Sequence, residues 1–179
     1  MKPLLSLSRL IDEINRRISK IACWLVLLSC LVSGGNALTR YGLNMSSNAW
    51  LEIQWYMFAA MFMLGASYTL YKNEHVRVDI LYARLSTRAQ IWVDLLGGIL
   101  FLLPAAGILT WLSWPVFYQV WVSGEMSSSA GGLIRWPVKL FLPLGFGLLV
   151  LQGVSEVIKR IAMLTGDMQA HLHYERPMQ

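Results

Sequence analysis

The sequence predicts an all-α membrane protein: four transmembrane helices in one domain over residues 1–179, both termini cytoplasmic, with an N-terminal amphipathic interfacial helix. Three observations carry this prediction. First, 56% of the 179 residues are hydrophobic and 14% are charged, whereas a soluble domain carries about 25% charge and about 45–50% apolar residues. Second, the apolar residues gather into four long uncharged runs. Third, twelve of the fifteen Lys and Arg residues lie in alternate segments between those runs. This composition excludes a soluble enzyme with a polar shell, and the net charge of +5 is spread too thinly to point to nucleic acid.

Residues 1–20 read as the amphipathic helix. Leu7, Leu10, Ile11, Ile14, Ile18 and Ile21 follow the i, i+3, i+4, i+7 rule, and Arg9, Asp12, Glu13, Arg16 and Arg17 take the other positions. An interfacial helix fits this pattern. So does an extension of the first span that docks on neighbouring helices, and the two readings weigh equally. A cleaved secretory signal fits less well, because 20 residues are long for an n-region and carry their own helical pattern.

A hydrocarbon core of about 30 Å needs roughly 20 apolar helical residues at about 1.5 Å each. The first span is expected at about 21–39, an uncharged run of 19 residues. Cys23 and Cys30, seven residues apart, would be about 10 Å apart on a straight helix, beyond the roughly 7 Å limit for a disulfide. They read as packing residues. Ser29, Ser33 and Ala37 form a small-residue track that admits a close helix neighbour.

The second span is expected at 53–71, with Glu52 and Gln54 at its outer end. In the loop that follows, Val78, Leu81, Tyr82 and Leu85 fit a short amphipathic helix, and Thr87 with Gln90 has capping-box spacing. The third span, at about 90–112, lies in a region whose uncharged run Leu95–Gly124 is 30 residues long, enough for an added outer segment. Trp111, Trp114, Tyr118 and Trp121 share a stripe there, with Pro115 between them, and read as an outer aromatic belt. The Ser- and Gly-rich stretch 124–132 reads as a flexible connector. The fourth span, at about 138–158, has only 16 uncharged residues, Leu140–Ser155, and runs on past Glu156, which can pair with Lys159 and Arg160 on one face. Glycines and alanines recur at 97, 98, 105, 106, 107, 145, 147 and 153 as further close-approach positions, and residues 161–179 form a cytoplasmic tail.

Lys and Arg accumulate on cytoplasmic loops. The twelve that precede the first span, separate the second from the third, or follow the fourth therefore place both termini and the middle loop inside; Arg40, Arg135 and Lys139 fall outside.

No catalytic, cofactor-binding or metal-binding constellation is visible. G-x-x-x-x-G-K-[ST], H-E-x-x-H, C-x-x-C and G-x-S-x-G are absent. His75 falls in the middle loop and His171 and His173 in the tail, so no span offers haem ligands. A charge costs about 2.5–3.5 kcal/mol at a helix centre on insertion scales. Glu52, Asp94 and Glu156 all lie toward the membrane edges, which weakens a proton- or ion-relay reading and favours carboxylates paired at the interface.

One motif reaches further. Asn73-Glu74-His75-Val76-Arg77-Val78-Asp79, just after the second span, resembles the hallmark of the small membrane subunit (DctQ type, Q subunit) of tripartite ATP-independent periplasmic (TRAP) transporters. Trp50-Leu51-Glu52-Ile53, Phe62-Met63-Leu64-Gly65-Ala66-Ser67 and the stretch from Arg135-Trp136-Pro137 to Pro143-Leu144-Gly145-Phe146 resemble that family in the same order, over roughly residues 18–160. Family members often carry a basic residue shortly after the Glu that opens the second span; Gln54 and Trp55 stand here instead, so an ion pair at Glu52 is not carried over. The region 111–151 is most similar to the branch linked to mannitol, chloroaromatic or keto-acid transport.

The resemblance implies a non-catalytic inner-membrane subunit that braces a large elevator-type permease in a heterodimer. Uptake of an organic anion, a carboxylate above all, would be driven by sodium after delivery by a transiently bound periplasmic protein. It implies no cofactor and no nucleic-acid partner. Glu74, His75, Arg77 and Asp79, with Glu52 and Arg135, become candidate contacts to the large subunit or to lipid, or an internal clamp on their own loop. The competing class is a free-standing homo-oligomeric channel or small-molecule exporter, in which Glu52 and Asp94 would be substrate or proton sites.

Overall fold

The computed structural model describes residues 2–45, 47–73, 82 and 84–167. Its helices are α1 (Lys2–Gly42), α2 (Asn48–Lys72), α3 (Thr87–Gly97), α4 (Leu103–Ser123) and α5 (Trp136–Leu164), with a π turn over Gly98–Leu102 that joins α3 to α4. The only extended pairing among the described residues is an isolated antiparallel bridge between Met126 and Ile134. The Glu74–Asp79 motif, most of the amphipathic stretch around it, and the tail with His171 and His173 lie outside the described residues.

Among the described residues, three helical segments are long and apolar enough to cross a membrane: Lys2–Gly42, Thr87–Ser123 and Trp136–Leu164. Helix α2 has 25 residues, about 37 Å at the α-helical rise, so its length would suffice. Gln54, Tyr56, Ser67, Tyr68 and Thr69 dilute its apolar character. Helices α1 and α2, the continuous α3–α4 segment and α5 run in alternating directions. The N-terminal part of α1 meets the C-terminal part of α5 through Ser8 and Ser155, and the start of α2 meets the loop before α5 through Leu133.

Helix α5 is central and touches α1, α2, α3 and α4, while α1 and α2 also pack on each other. The interior mixes polar residues with alanines and a few aliphatics such as Ile11, Ile91, Leu95 and Ile158. The largest fully buried side chains are Gln152, Asn15, Ser8, Ser67 and Ser155, while Trp24, Leu31, Phe58, Phe62 and Phe101 face outward. A water-soluble bundle would invert this distribution; in lipid, apolar side chains gain nothing by turning inward, and small and polar residues hold the helices together.

Three local features depart from the sequence expectations. The amphipathic stretch is no separate interfacial helix: α1 is one helix of 41 residues, about 62 Å, and its first half docks on α5, the second of the two readings left open above. Its buried stripe is Ser8, Ile11, Asn15, Ser19 and Ala22, whereas Leu7, Leu10 and Ile14 point away from the bundle. Second, the cap of α3 is Ser86 rather than Thr87: its Oγ accepts from the Ala89 N–H at 3.4 Å. The Gln90 amide reaches back to the carbonyls of Tyr82 and Leu85 at 3.0 and 3.3 Å. Third, Cys23 and Cys30 are exposed, as are Ser33 and Ala37, so among the described residues no helix packs on that side of the small-residue track.

The π turn follows from Pro104. Proline lacks the N–H that would bond the carbonyl four residues back, and its ring crowds that carbonyl. The helix widens instead, and the Leu103 N–H bonds Gly98 O, five residues back. On α5, Gly145 marks a close approach to α2: a Cβ there would lie 2.7 Å from Met63 Cβ and 2.8 Å from Met63 O.

Candidate functional site

Polar side chains gather at the two ends of the bundle. At the end that holds the N-terminus, α1 and α5 are joined by a ladder. Ser8 and Ser155 share a hydrogen bond of 2.7 Å, and Asn15 Nδ2 donates to Gln152 Oε1 at 2.7 Å. Gln152 Nε2 donates to Asp12 Oδ1 at 2.9 Å and to Glu156 Oε1 at 3.1 Å. Asp12 also accepts from Ser155 Oγ at 2.7 Å and meets Lys159 Nζ at 3.3 Å. Lys159 in turn holds Glu156 at 2.5 Å and lies over the Tyr71 ring at 5.1 Å, which brings in α2. Asn15 and Gln152 are both 0% exposed, and Asn15 Oδ1 is the only buried side-chain polar atom without a hydrogen-bond partner among the described residues.

The ladder continues to α3. Arg160 Nη2 contacts Asp94 Oδ2 at 3.2 Å, with both side chains only 10% exposed, and reaches Glu156 at 4.0 Å. The Tyr82 hydroxyl donates to the same Asp94 oxygen at 3.0 Å. Beside this pair lies a cleft of about 430 Å³, lined by Leu70, Val93 and Val157 and by Gly97, Gly98 and Gly153.

At the opposite end, the 124–135 loop is an ordered hairpin rather than a flexible connector. Gly124 ends α4 at φ +60° and Gly131 turns the tip at φ +70°, both left-handed conformations that favour glycine. Reciprocal backbone bonds, Ser127 N–H to Leu133 O and Arg135 N–H to Glu125 O, are both 2.9 Å. Glu52 clasps this hairpin to α2: it accepts from the Leu133 N–H at 2.7 Å and from the Ser127 hydroxyl. Tyr56 adds a bond to Ile134 O at 3.2 Å. Glu52 stands just outside the second apolar run, and the Leu133 N–H, then the Ser127 hydroxyl, holds its carboxyl below the ordinary value of 4.5. Arg135 pairs with Glu125 at 2.5 Å.

The predicted residues therefore separate into distinct places. Asp94 and Glu156 join the network at the end that holds the N-terminus, Glu52 and Arg135 share the hairpin at the opposite end with different partners, and Trp111, Trp114, Tyr118 and Trp121 are exposed along α4. Glu74, His75, Arg77 and Asp79 lie outside the described residues. Sequence reasoning missed Ser8, Asp12 and Asn15 as packing residues. The signal was present in the polar spacing of Ser8, Asn15 and Ser19, because in lipid the small polar stripe marks the contact face and the apolar stripe the outer one.

Every carboxylate among the described residues engages a partner within the chain. Groups of three or more metal-ligating side chains are absent among the described residues.

No curated protein matches the chain. A family model does: residues 29–163 match the one described as tripartite ATP-independent periplasmic transporters, DctQ component. The match opens about two thirds of the way along α1, takes in the 124–135 hairpin and the α5 side of the network at the opposite end, and closes one residue before α5 ends; the docked first half of α1 precedes it. With its apolar helices, polar interior and the match over most of its length, the chain is a membrane protein and belongs to the DctQ-component family of TRAP transporters.

Proposed function

We propose that this chain is the non-catalytic small membrane subunit of a TRAP system, set in the inner membrane with four spans and both termini in the cytoplasm. In this reading it braces a large elevator-type permease while a sodium gradient drives uptake of an organic anion, in particular a carboxylate, handed over by a periplasmic binding protein. The observation that carries the reading is the family match over residues 29–163; beside it, each described carboxylate has at least one partner within the chain, whereas a subunit that moved ions or solute itself would keep polar groups available deep within its spans. Instead the polar groups fasten helices at the two ends, as a rigid support requires. Twelve of fifteen Lys and Arg residues on one side supply the orientation.

Affinity purification of the tagged chain from membranes in mild detergent tests this. Recovery of a many-span partner in equal amount is expected, with that recovery reduced by Arg77→Glu. A pure homo-oligomer with no such partner would contradict the proposal.

A further inference from the structure

We propose that the first half of α1 is a binding edge for anionic phospholipids. Arg9, Arg16, Arg17 and Lys20 engage the headgroup phosphates, and Leu7, Leu10 and Ile14 lie among the acyl chains of the same lipids. The proposal goes beyond the transport reading above and does not depend on it.

The contacts with α5 set the level of this half-helix. Ser8 meets Ser155 and Asn15 meets Gln152, and Ser155 is where the uncharged run of α5 ends. Residues 8–15 therefore lie level with the edge of the apolar zone rather than a helix length beyond it. Ser8 and Asn15 are about 10 Å apart along α1, whereas their partners are about 4.5 Å apart along α5. The first half of α1 thus crosses α5 at a slant and stays near that edge.

Around its axis the half-helix has three different sides. Ser8, Ile11, Asn15 and Ser19 face the bundle. Leu7, Leu10 and Ile14 are exposed on the second side. Arg9, Glu13, Arg16, Arg17 and Lys20 take the third, at i, i+4, i+7, i+8 and i+11. In water the leucines would stay uncovered, and among acyl chains the cations would be stripped of water. At the boundary both sides are satisfied at once, although the helix is continuous with the first span.

Charge selects the lipid. Four cations on this side stand against one carboxylate, Glu13, which takes the Nε and Nη2 of Arg16 and the Nε of Arg17. A guanidinium has five N–H donors, so both forks keep donors for phosphate oxygens, and the Arg17 side chain is 77% exposed. The alternative occupant is a partner subunit. The family match begins only at residue 29, so this edge lies outside the stretch shared with the family, which favours lipid.

The test reconstitutes the full chain, in a Cys23→Ala/Cys30→Ala background with bimane on Leu10→Cys, into phosphatidylcholine vesicles. A minor share of the lipid carries brominated acyl chains, as either phosphatidylglycerol or phosphatidylcholine, and bromine quenches the label only from beside it. A lipid engaging a single cation gains about fivefold, so brominated phosphatidylglycerol should quench at a mole fraction about fivefold lower, or less, than brominated phosphatidylcholine needs. Raised salt should weaken that preference. Arg9→Gln/Arg16→Gln/Arg17→Gln/Lys20→Gln should bring it to parity, and Arg9→Lys/Arg16→Lys/Arg17→Lys should keep it. Equal quenching by the two lipids in the parent would overturn the proposal, whatever the folding of the variants. Quenching by neither lipid would show position 10 covered by protein and overturn it equally, and an undiminished preference in the glutamine variant would remove these four residues as its source.

Discussion

Replacing Gln152 by Leu removes a single amide from the junction of α1 and α5, where it contacts three side chains at once. Two of its bonds cross between helices, to Asn15 at 2.7 Å and to Asp12 at 2.9 Å. Interhelical side-chain hydrogen bonds in membrane proteins average about 0.6 kcal/mol and reach about 1.7 kcal/mol. The substitution also strands Asn15, 0% exposed, with no partner on either amide atom, and an orphaned buried polar group costs about 1–3 kcal/mol. The expected loss is therefore about 2–4 kcal/mol. Equilibrium unfolding in mixed micelles, followed by far-ultraviolet circular dichroism, measures it. The double substitution Asn15→Leu/Gln152→Leu leaves no stranded amide at this site and should recover at least about 1 kcal/mol relative to the sum of the single losses. A loss under about 0.5 kcal/mol for Gln152→Leu, within the range of ordinary surface substitutions, or strict additivity in the cycle, would refute the reasoning.

Other perturbations probe separate parts of the structure. Gly145→Ala should lower stability by about 1–3 kcal/mol through overpacking against Met63, whereas Gly147→Ala, whose nearest neighbour is Thr110 Cγ2 at 4.0 Å, should be neutral; equal thermal unfolding of the two variants would contradict the close approach. Oxidation of Ser8→Cys/Ser155→Cys in a background lacking Cys23 and Cys30 should cross-link α1 to α5, since the two hydroxyls sit 2.7 Å apart; Leu7→Cys/Ser155→Cys, with position 7 facing outward, should not, and the reverse pattern would remove the docked arrangement. Because the Glu52 carboxyl is held below 4.5, its contribution to the hairpin clasp is fully present above that value and lost as pH falls through the lowered one. Protease accessibility of the 125–135 loop should accordingly rise on acidification and be far less pH-dependent in Glu52→Gln; the same pH response in both proteins would argue against Glu52 as the clasp.

Much of the helical layout was legible because it depends on quantities a sequence displays directly: lengths of uncharged runs and the spacing of charge. Local chemistry was less legible where two physical rules compete. The Leu7, Leu10 and Ile14 stripe has the same period whether it faces a core or lipid, and only the burial of Ser8 and Asn15 decides which side packs. Glu52 could be placed at the membrane edge from its position, but its partners, Ser127 and Leu133, lie some 80 residues away in sequence. Gly and Ser in 124–132 signal a loop equally well whether it is mobile or, as here, pinned by a carboxylate. The π turn is a consequence of Pro104 that a purely α-helical reading of 90–112 cannot register.

The central claim is that this chain supports transport without performing it. Uptake of a labelled carboxylate into proteoliposomes under an inward sodium gradient tests it most directly, comparing this chain alone, the large subunit alone, and both together with the periplasmic binding protein. The account predicts no uptake by this chain alone and uptake by the complete assembly that falls when this chain is omitted. Gradient-driven uptake by this chain alone would contradict it.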